Sequence, residues 1–400
     1  MMTLENRLYE AALEQPCINT HCHINTAAPV PRTLPELLKK SYLNWQFKRW
    51  ISPEMEIEVF LDQVSCNSYF YVLAKALGEL YTKDKAPLGL HNWHEIEQGL
   101  AEAANQSGRA KQLLEEKCHY QAVILDLQHN PGYDNAAPSL FRPAFRCDMF
   151  LRGHPQAGRD ENGNDPRSYL PRKGDMNLQE YLESMGQAVK QKAAQGAVAL
   201  KLAIAYERGL DFDIVDFDAA QRGWTRADAT PYEVKAFEDT VAFYLCRIAG
   251  DLKLPVQVHT GMGQLVHTNA LWLKPLLDYC PQTQFVLLHC SYPHTADCMA
   301  LLHEYNNVYA DLSWLPLLSP DAAGVILGEL LDIADCGRIA WGCDAETPEE
   351  SIGAHQVFCQ ILSRVLSRKA EYGYYSQSTC EQLLSQILLK APRTLYGLQQ

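Results

Sequence analysis

The segment that decides the fold is QFVLLHCSYPHTADCMALLHEYNNVYADL, residues 284–312. Two short apolar runs, Gln284–His289 and Asn307–Leu312, flank the segment Met299–Tyr305, whose apolar residues recur at helical spacing. Continuous apolar runs of this length are typical of parallel strands that are covered by helices. The segment therefore predicts one strand–helix–strand unit of a parallel sheet.

The same kind of apolar run recurs along the whole chain. The six other runs are Cys17–His23, Gln121–Leu127, Phe141–Cys147, Ala197–Ala203, Pro255–Thr260 and Gly337–Cys343. Further helices are predicted at Leu178–Gln195, Pro231–Gly250, Ala322–Ala334 and Ile352–Leu366. Eight strands that alternate with helices favour a closed barrel over an open doubly wound sheet, which usually has fewer strands. We therefore predict an α/β fold, a (β/α)8 TIM barrel.

Two segments interrupt this rhythm. Residues from about 30 to 110 contain helical patterns and are interpreted as a helical cap, inserted between strands 1 and 2 over the barrel mouth. Residues from about 152 to 175 are polar and rich in Gly and Pro, and a loop of that length is either functional or disordered. No internal repeat or clean linker divides the chain, so we expect a single domain, residues 1–400.

Composition excludes several classes of partner. The 400 residues carry 35 Lys and Arg against 48 Asp and Glu, which gives a formal net charge of −13. This sign disfavours nucleic acid and anionic membrane surfaces as partners. No uninterrupted apolar run reaches the ~18 residues of a membrane-spanning helix, and the first residues are acidic where a secretory signal is apolar. We expect a soluble, cytoplasmic protein in which the 13 scattered cysteines are reduced and mostly buried.

The strongest local motif is Thr20-His21-Cys22-His23. Residues two apart on a strand share a face, so both imidazoles point the same way. Taken alone, a strand histidine is more often a hydrogen-bonded core residue than a metal ligand. However, three more strand runs end at His259, His289 and Asp344, and the carboxyl ends of barrel strands form the active-site face. Imidazoles and a carboxylate at one face predict a divalent-metal site.

These residues resemble a known family. The H-x-H on the first strand, together with ALKLAIAYERGL, QVHTGMG, LLHCSYPHTADCMALLHEYNNVYADLSWL and IAWGCDAETPEESIGAH, is similar to the amidohydrolase superfamily and to its amidohydrolase-2 branch. That branch includes decarboxylases of the aminocarboxymuconate-semialdehyde type and domains fused to some glutamine synthetases, with uronate isomerases as more distant relatives. The resemblance extends through the closing TLYGL.

The resemblance implies a ligand set and a mechanism. His21, His23, His259 and Asp344 would bind one divalent ion, with zinc as the expected metal. Such an ion lowers the pKa of a bound water to about 7 and polarises a carbonyl. Asp344 would accept the proton of the attacking water and return it to the leaving group. His289 would stabilise the developing oxyanion.

Lys201 allows several interpretations. In two-metal members of the superfamily, a carbamylated lysine at the end of strand four bridges the ions, and Lys201 lies near that position. Its amine could instead bind an acidic substrate or form a structural pair with a carboxylate. The branch is mostly mononuclear, which favours a role in binding substrate or in supporting a ligand.

Other polar and aromatic residues follow the strand ends. Arg146 and Arg208 could bind a substrate carboxylate in a bidentate manner, and a salt bridge is the equal alternative for each. Candidate substrate-binding residues in the loops are Tyr206, Tyr292, Trp314 and Glu346. For the three aromatic residues, loop packing is the alternative, and Glu346 could instead hydrogen-bond a ligand histidine.

The expected function is hydrolysis of an amide, lactone or ester bond in a small, acidic substrate. A non-oxidative decarboxylase or a uronate-type isomerase would use the same ligands, so ligand spacing does not separate these reactions. A non-catalytic scaffold with a structural metal is the alternative from another class. Barrels of this kind often pair through their outer helices, so a homo-oligomer is also compatible with the sequence.

Overall fold

The computed structural model describes residues 2–172 and 174–398. Its strands form one sheet in the order of the chain, from β1 to β8. They are β1 (Cys17–Cys22), β2 (Tyr120–Leu125), β3 (Phe141–Arg146), β4 (Ala199–Leu202), β5 (Val256–His259), β6 (Phe285–Leu288), β7 (Val308–Asp311) and β8 (Ile339–Ala340). Each of the eight apolar runs contains one strand, and the predicted (β/α)8 barrel is confirmed.

The register of the sheet aligns the ends of neighbouring strands. Strands β3 to β8 pair in parallel, and Arg146, Lys201 and Gln257 share one row across β3, β4 and β5. His259, the last residue of β5, pairs with Leu288 of β6, and His289 follows directly. Parallel pairing therefore places the polar residues that end these strands at the same edge.

Helices follow the strands, as the alternating pattern predicted. The α-helices are α1 (Leu4–Glu14), α2 (Leu34–Lys39), α3 (Leu43–Phe47), α4 (Ile57–Val64), α5 (Ser68–Tyr81), α6 (Trp93–Ala103), α7 (Arg109–Lys117), α8 (Asp148–Leu151), α9 (Pro166–Tyr169), α10 (Leu178–Ala194), α11 (Phe217–Thr225), α12 (Pro231–Leu252), α13 (Lys274–Tyr279), α14 (Thr295–Glu304), α15 (Leu315–Leu318), α16 (Pro320–Ile333), α17 (Pro348–Glu371), α18 (Gln377–Ser385) and α19 (Ala391–Leu395). Short 3₁₀ turns at Ile204–Tyr206 and His289–Ser291 continue β4 and β6.

Capping residues explain where the long helices begin. Thr230 accepts a hydrogen bond from the backbone N–H of Glu233 and starts α12, with Pro231 at its first position. Helix α17 starts at Pro348, four residues before the predicted Ile352, because Thr347 is its N-cap. The apolar spacing alone missed this first turn, whose polar side chains are buried.

The chain divides into two compact units. The first comprises Met1–Val123, Leu312–Asp332 and Trp341–Pro392. It holds β1 and α17. It also holds residues 30–110, which contain helices α2 to α6 and the start of α7. In this unit, α17 packs against α1 and α5.

The second unit comprises Ile124–Asp311, Ile333–Ala340 and Arg393–Gln400. Its core joins apolar side chains of β2, β3, β4 and β6 to the end of the chain: Ile124, Ala144, Ala199, Val286, Leu288, Leu395 and Tyr396. The polar segment expected at about 152–175 lies here and includes α9, while Lys173 lies outside the described residues. Among the described residues, no helix has the length and hydrophobicity needed to span a bilayer.

Candidate metal centre

In the first unit, backbone hydrogen bonds hold the carboxyl end of β1 against residues 341–345. The N–H of Thr20 donates to the carbonyl of Trp341 at 3.3 Å, and the N–H of Asp344 donates to the carbonyl of His21 at 2.8 Å. The N–H of His23 donates to the carbonyl of Ala345 at 3.0 Å. These bonds fix the H-x-H motif beside Asp344, although the two segments lie more than 300 residues apart in the sequence.

Asn19 joins the same two segments through its side chain. Its Oδ1 accepts hydrogen bonds from the N–H of Cys343 at 2.9 Å and from the N–H of His21 at 3.3 Å. Its Nδ2 donates to the Cys343 sulfur at 2.9 Å. Sequence analysis missed this positioning residue, because its partners become visible only when β1 meets the segment after β8.

Gly342 allows the two segments to approach closely. A Cβ atom at this position would lie 2.7 Å from Ser313 Oγ, 2.9 Å from the Cα of His21, and closer still to the His21 nitrogen. Carbon atoms in contact normally keep about 3.5–4.0 Å. Glycine is therefore required here by the available space, which is the usual reason for a glycine at a close backbone approach.

Three of the expected ligands meet in this unit. The Nε2 atoms of His21 and His23 lie 3.4 Å and 3.0 Å from Oδ1 of Asp344. Ligand atoms of all three residues lie within 4.8 Å of one another. His21 and Asp344 are buried, and Asp344 has a positive φ of 58°, a conformation that Asp tolerates better than most residues.

The donor set of this triad fits a divalent transition-metal ion. Two imidazole nitrogens and one carboxylate oxygen are ligands that zinc, iron, nickel and manganese accept. The Nε2 atoms of His21 and His23 each lie within the ~4.4 Å of Asp344 Oδ1 that two ligands of one ion can span, since such metal–ligand bonds are about 2.0–2.2 Å long. We refer to His21, His23 and Asp344 as the metal triad.

Two further histidines meet in the second unit. Nε2 of His289 lies 3.0 Å from Nδ1 of His259, and their ring centroids are 4.5 Å apart. Nε2 of His259 is hydrogen-bonded to the carbonyl of Met262. Both ring nitrogens of His259 are therefore engaged, and metal ligation by His259 would replace one of these two contacts.

The charge state of His259 suits a ligand. Burial lowers its pKa well below the ordinary value, and the positive charges of His289, Lys201 and Arg146 lower the pKa further. The Met262 carbonyl acts in the opposite direction. The imidazole is therefore neutral at pH 7, which is the form that binds metals.

A buried charged cluster lies at the ends of β2, β3 and β4. Arg146 forms a bidentate pair with Asp126, at 3.1 Å and 2.7 Å, and also lies 3.3 Å from Asp148. The ammonium of Lys201 lies 3.9 Å from Asp126. Burial raises the pKa of Asp148 to about 7, although Arg146 and the N–H of Ala203 oppose that rise. Asp126, an acid inside the apolar run QAVILDL, was a signal that the sequence analysis left unused.

Arg208 is held by α12 and by its own loop. Its Nη1 lies 2.9 Å from both Glu238 Oε2 and Asp239 Oδ1, and its Nε donates to the carbonyl of Gly209 at 3.0 Å. These contacts are those of a salt bridge, which the sequence analysis gave as the alternative to substrate binding for Arg208. The guanidinium also lies 4.8 Å from the ring centroid of Phe212.

The four loop residues predicted to line the site have different surroundings. The ring of Tyr206 lies 4.4 Å from that of His259, and Tyr292 follows the His289–Ser291 turn and is half-buried. Trp314 is buried in the first unit with a φ of 66°. Glu346 is exposed, and within the described residues no hydrogen bond joins it to an imidazole.

Sequence comparisons show similarity to the amidohydrolase family. Residues 222–398 match the amidohydrolase family model. In an alignment of 228 positions that covers 52% of this chain, the sequence is 32% identical to protein fluG of Emericella nidulans, and the match covers 26% of that longer protein.

Solved structures share the fold over nearly the whole chain. A uronate isomerase from Thermotoga maritima has a TM-score of 0.78 at 15% identity and covers 98% of this chain and 97% of its own. A glucuronate isomerase from Caulobacter crescentus has a TM-score of 0.77 at 15% identity, with 99% and 94% covered. A protein from Lactobacillus casei provisionally described as a metal-dependent hydrolase has a TM-score of 0.67 at 19% identity, with 98% and 97% covered. At these identities the similarities show a shared fold.

Proposed function

We propose that the chain is a metal-dependent hydrolase that cleaves an amide, lactone or ester bond in a small molecule bearing a carboxylate. The observation that carries this proposal is the convergence of two imidazoles and one carboxylate within 4.8 Å in the metal triad. His259 is proposed as the fourth ligand on the strength of the family resemblance. We further propose zinc as the metal and the cytoplasm as the compartment.

The residues of the chain have distinct roles in this proposal. A bound divalent ion would supply Lewis-acid chemistry, which polarises a carbonyl and makes water more acidic. Asp344 takes a proton from the attacking water and returns it to the leaving group, because a carboxylate within reach of both can act as base and then as acid. His289 donates a hydrogen bond to the developing oxyanion.

The buried charged cluster supports an anionic substrate. Arg146 and Lys201 bring two positive charges, whereas Asp126 brings one negative charge and Asp148, with a pKa of about 7, is only partly ionised at neutral pH. Two cationic side chains at the ends of β3 and β4 are compatible with a substrate carboxylate there. Lys201 is the residue that we propose for this contact, at the carboxyl end of β4.

Isomerisation of a sugar acid is the second candidate. It is favoured by the two uronate isomerases that share the fold, and it needs the same two features, a metal site and a positive charge for the substrate carboxylate. Decarboxylation would use these features as well. The three reactions differ in their products and are separated by assay.

The experiment compares the metal-loaded chain with two variants. N-acyl amino acids, lactones and hexuronates are incubated with the chain after loading with zinc or manganese, and hydrolysis, carbon dioxide release and ketose formation are followed. Asp344→Asn should abolish turnover, whereas His303→Ala, at an exposed histidine of α14, should retain it. Turnover that persists in Asp344→Asn would contradict the proposal, and unfolding on chelation without any turnover would favour a structural metal.

A further inference from the structure

An aromatic cluster lies beside the metal triad in the first unit. The rings of Tyr42 and Tyr69 are stacked, with centroids 5.4 Å apart and planes inclined by 21°. The ring of Trp314 lies 6.0 Å from that of Tyr42. Trp45, 5.8 Å from Tyr42, extends the cluster to the surface, where it is 64% exposed. The cluster thus runs from an exposed ring to buried ones.

Two observations place the buried end of the cluster at the triad. Ser313, the neighbour of Trp314, has its hydroxyl 2.7 Å from the position of a Cβ on Gly342, two residues before Asp344. Burial raises the pKa of Tyr69, a hydrogen bond with the indole of Trp314 opposes this rise, and the negative charges of Glu350 and Asp344 add to it to a smaller extent. The close approach at Gly342 therefore brings the segment that carries Trp314 beside the backbone of the metal triad.

The backbone at Trp314 is strained. Its φ of 66° lies in a region that large side chains rarely adopt, at a cost of about 1–3 kcal/mol. Such strain persists only where surrounding contacts enforce it, and it concentrates at ligand sites. Trp314 is the N-cap of α15 and lies between the end of β7 and this helix. Its backbone conformation therefore sets the direction in which the indole points.

A buried carboxyl group fixes the position of Tyr42. Oε1 of Glu350 accepts a hydrogen bond from the backbone N–H of Tyr42 at 2.9 Å, and Glu350 is 3% exposed. Among the described residues, no hydrogen bond reaches the other oxygen, Oε2.

We propose that Tyr42, Tyr69 and Trp314 form a wall against which a flat ring of the substrate lies while its polar end meets the metal triad. The inference rests on the proposed metal-dependent function and narrows it to substrates with an aromatic or similarly planar ring. Two of the three rings come from the helical segment between β1 and β2, so that segment sets the specificity. Trp45 provides the exposed end of the entry path.

Two hydroxamates of different size test this proposal on the unmodified chain. Acetohydroxamate and benzohydroxamate chelate a divalent ion through the same group and differ only by a methyl group against a phenyl ring. Calorimetric titration of the zinc-loaded protein should show benzohydroxamate binding about tenfold more tightly, the advantage expected from ring stacking and burial. Equal affinities would overturn the wall while leaving the metal site intact. Failure of both probes to bind would overturn the metal site and the inference together.

Substitutions of two tyrosines in α5 test whether the ring of Tyr69 causes the preference for benzohydroxamate. Tyr69→Leu removes the flat ring and should reduce the preference for benzohydroxamate to about twofold, with acetohydroxamate affinity unchanged. Tyr69→Phe keeps the ring and should keep the preference. Tyr71→Leu, at a tyrosine of the same helix that is 43% exposed, is the matched control and should behave as the unmodified chain. A full preference in folded Tyr69→Leu would overturn the role of Tyr69.

Discussion

Substitution of Gly342 by alanine tests how closely the metal triad depends on the approach of two backbone segments. The added Cβ would lie 2.7 Å from Ser313 Oγ and 2.9 Å from the Cα of His21, so these atoms must move by about 1 Å to restore normal contact. That movement would strain the 2.8 Å hydrogen bond from Asp344 to the His21 carbonyl. We expect a loss of about 1–3 kcal/mol in the free energy of unfolding, typical of an overpacked site.

We expect Gly342→Ala to weaken zinc binding more than its loss of folding stability alone would. A shift of this size misplaces His21 relative to Asp344, and we expect zinc affinity to fall about 10–100-fold, as when groups that orient ligands are removed. Competition with a fluorescent chelator measures the affinity, and urea unfolding measures the stability. Gly328→Ala is the control, because a Cβ there meets no atom within 4 Å and lies in α16, where alanine is preferred. Native zinc affinity in Gly342→Ala would refute the reasoning.

Three other substitutions probe separate parts of the account. Arg208→Met should lower the free energy of unfolding by about 1–3 kcal/mol, because two largely buried carboxylates of α12 lose one cationic partner and keep Arg152 and Lys235. Exposed Arg226→Met should cost less than about 1 kcal/mol, and similar losses in the two variants would argue against a buried ion pair. Burial, together with nearby negative charge, raises the pKa of Glu350 to about 8. Between about pH 5 and pH 8 the folded chain therefore keeps a proton that the unfolded chain releases, so the free energy of unfolding falls as the pH rises through this range. Glu350→Gln should flatten this fall in thermal melts while exposed Glu371→Gln leaves it unchanged, and an unaltered slope in Glu350→Gln would contradict the assignment. His259→Ala should abolish metal occupancy in a chain that remains folded, and a full metal content would remove that histidine from the ligand set.

The strands were predictable because their signal is local. A run such as Pro255–Thr260 contains all the information that a buried parallel strand requires, and β5 lies within it at Val256–His259. The bounds of each strand were less predictable. The run Gly337–Cys343, for example, contains only the two-residue strand β8. A 3₁₀ turn precedes β8, and the chain leaves the ladder soon after it to reach Asp344.

The site was predictable where one strand carries the pattern. His21 lies in β1 and His23 follows the strand directly, so the two-residue spacing already predicts that both imidazoles point to the same side. Asn19 and Tyr69 could not be identified in this way, because their partners are distant in sequence and meet them only in the folded chain.

The partners of two arginines were also not predictable from the sequence. The pattern placed Arg146 and Arg208 after strands but did not reveal their partners, which lie 20 and 30 residues away at Asp126 and Glu238. A guanidinium that finds a buried carboxylate forms an ion pair, and the sequence left this alternative equal to substrate binding. Only the folded contacts identify the groups that pair.

Metal content tests the central claim most directly. The purified chain is saturated with zinc, freed of excess by dialysis and analysed by plasma mass spectrometry, beside Asp344→Ala and the exposed-site control His303→Ala. The account predicts stoichiometric zinc in the unmodified chain and in His303→Ala, and loss of the ion in a folded Asp344→Ala. Zinc retained at the same level in Asp344→Ala, or absent from the unmodified chain, would contradict it.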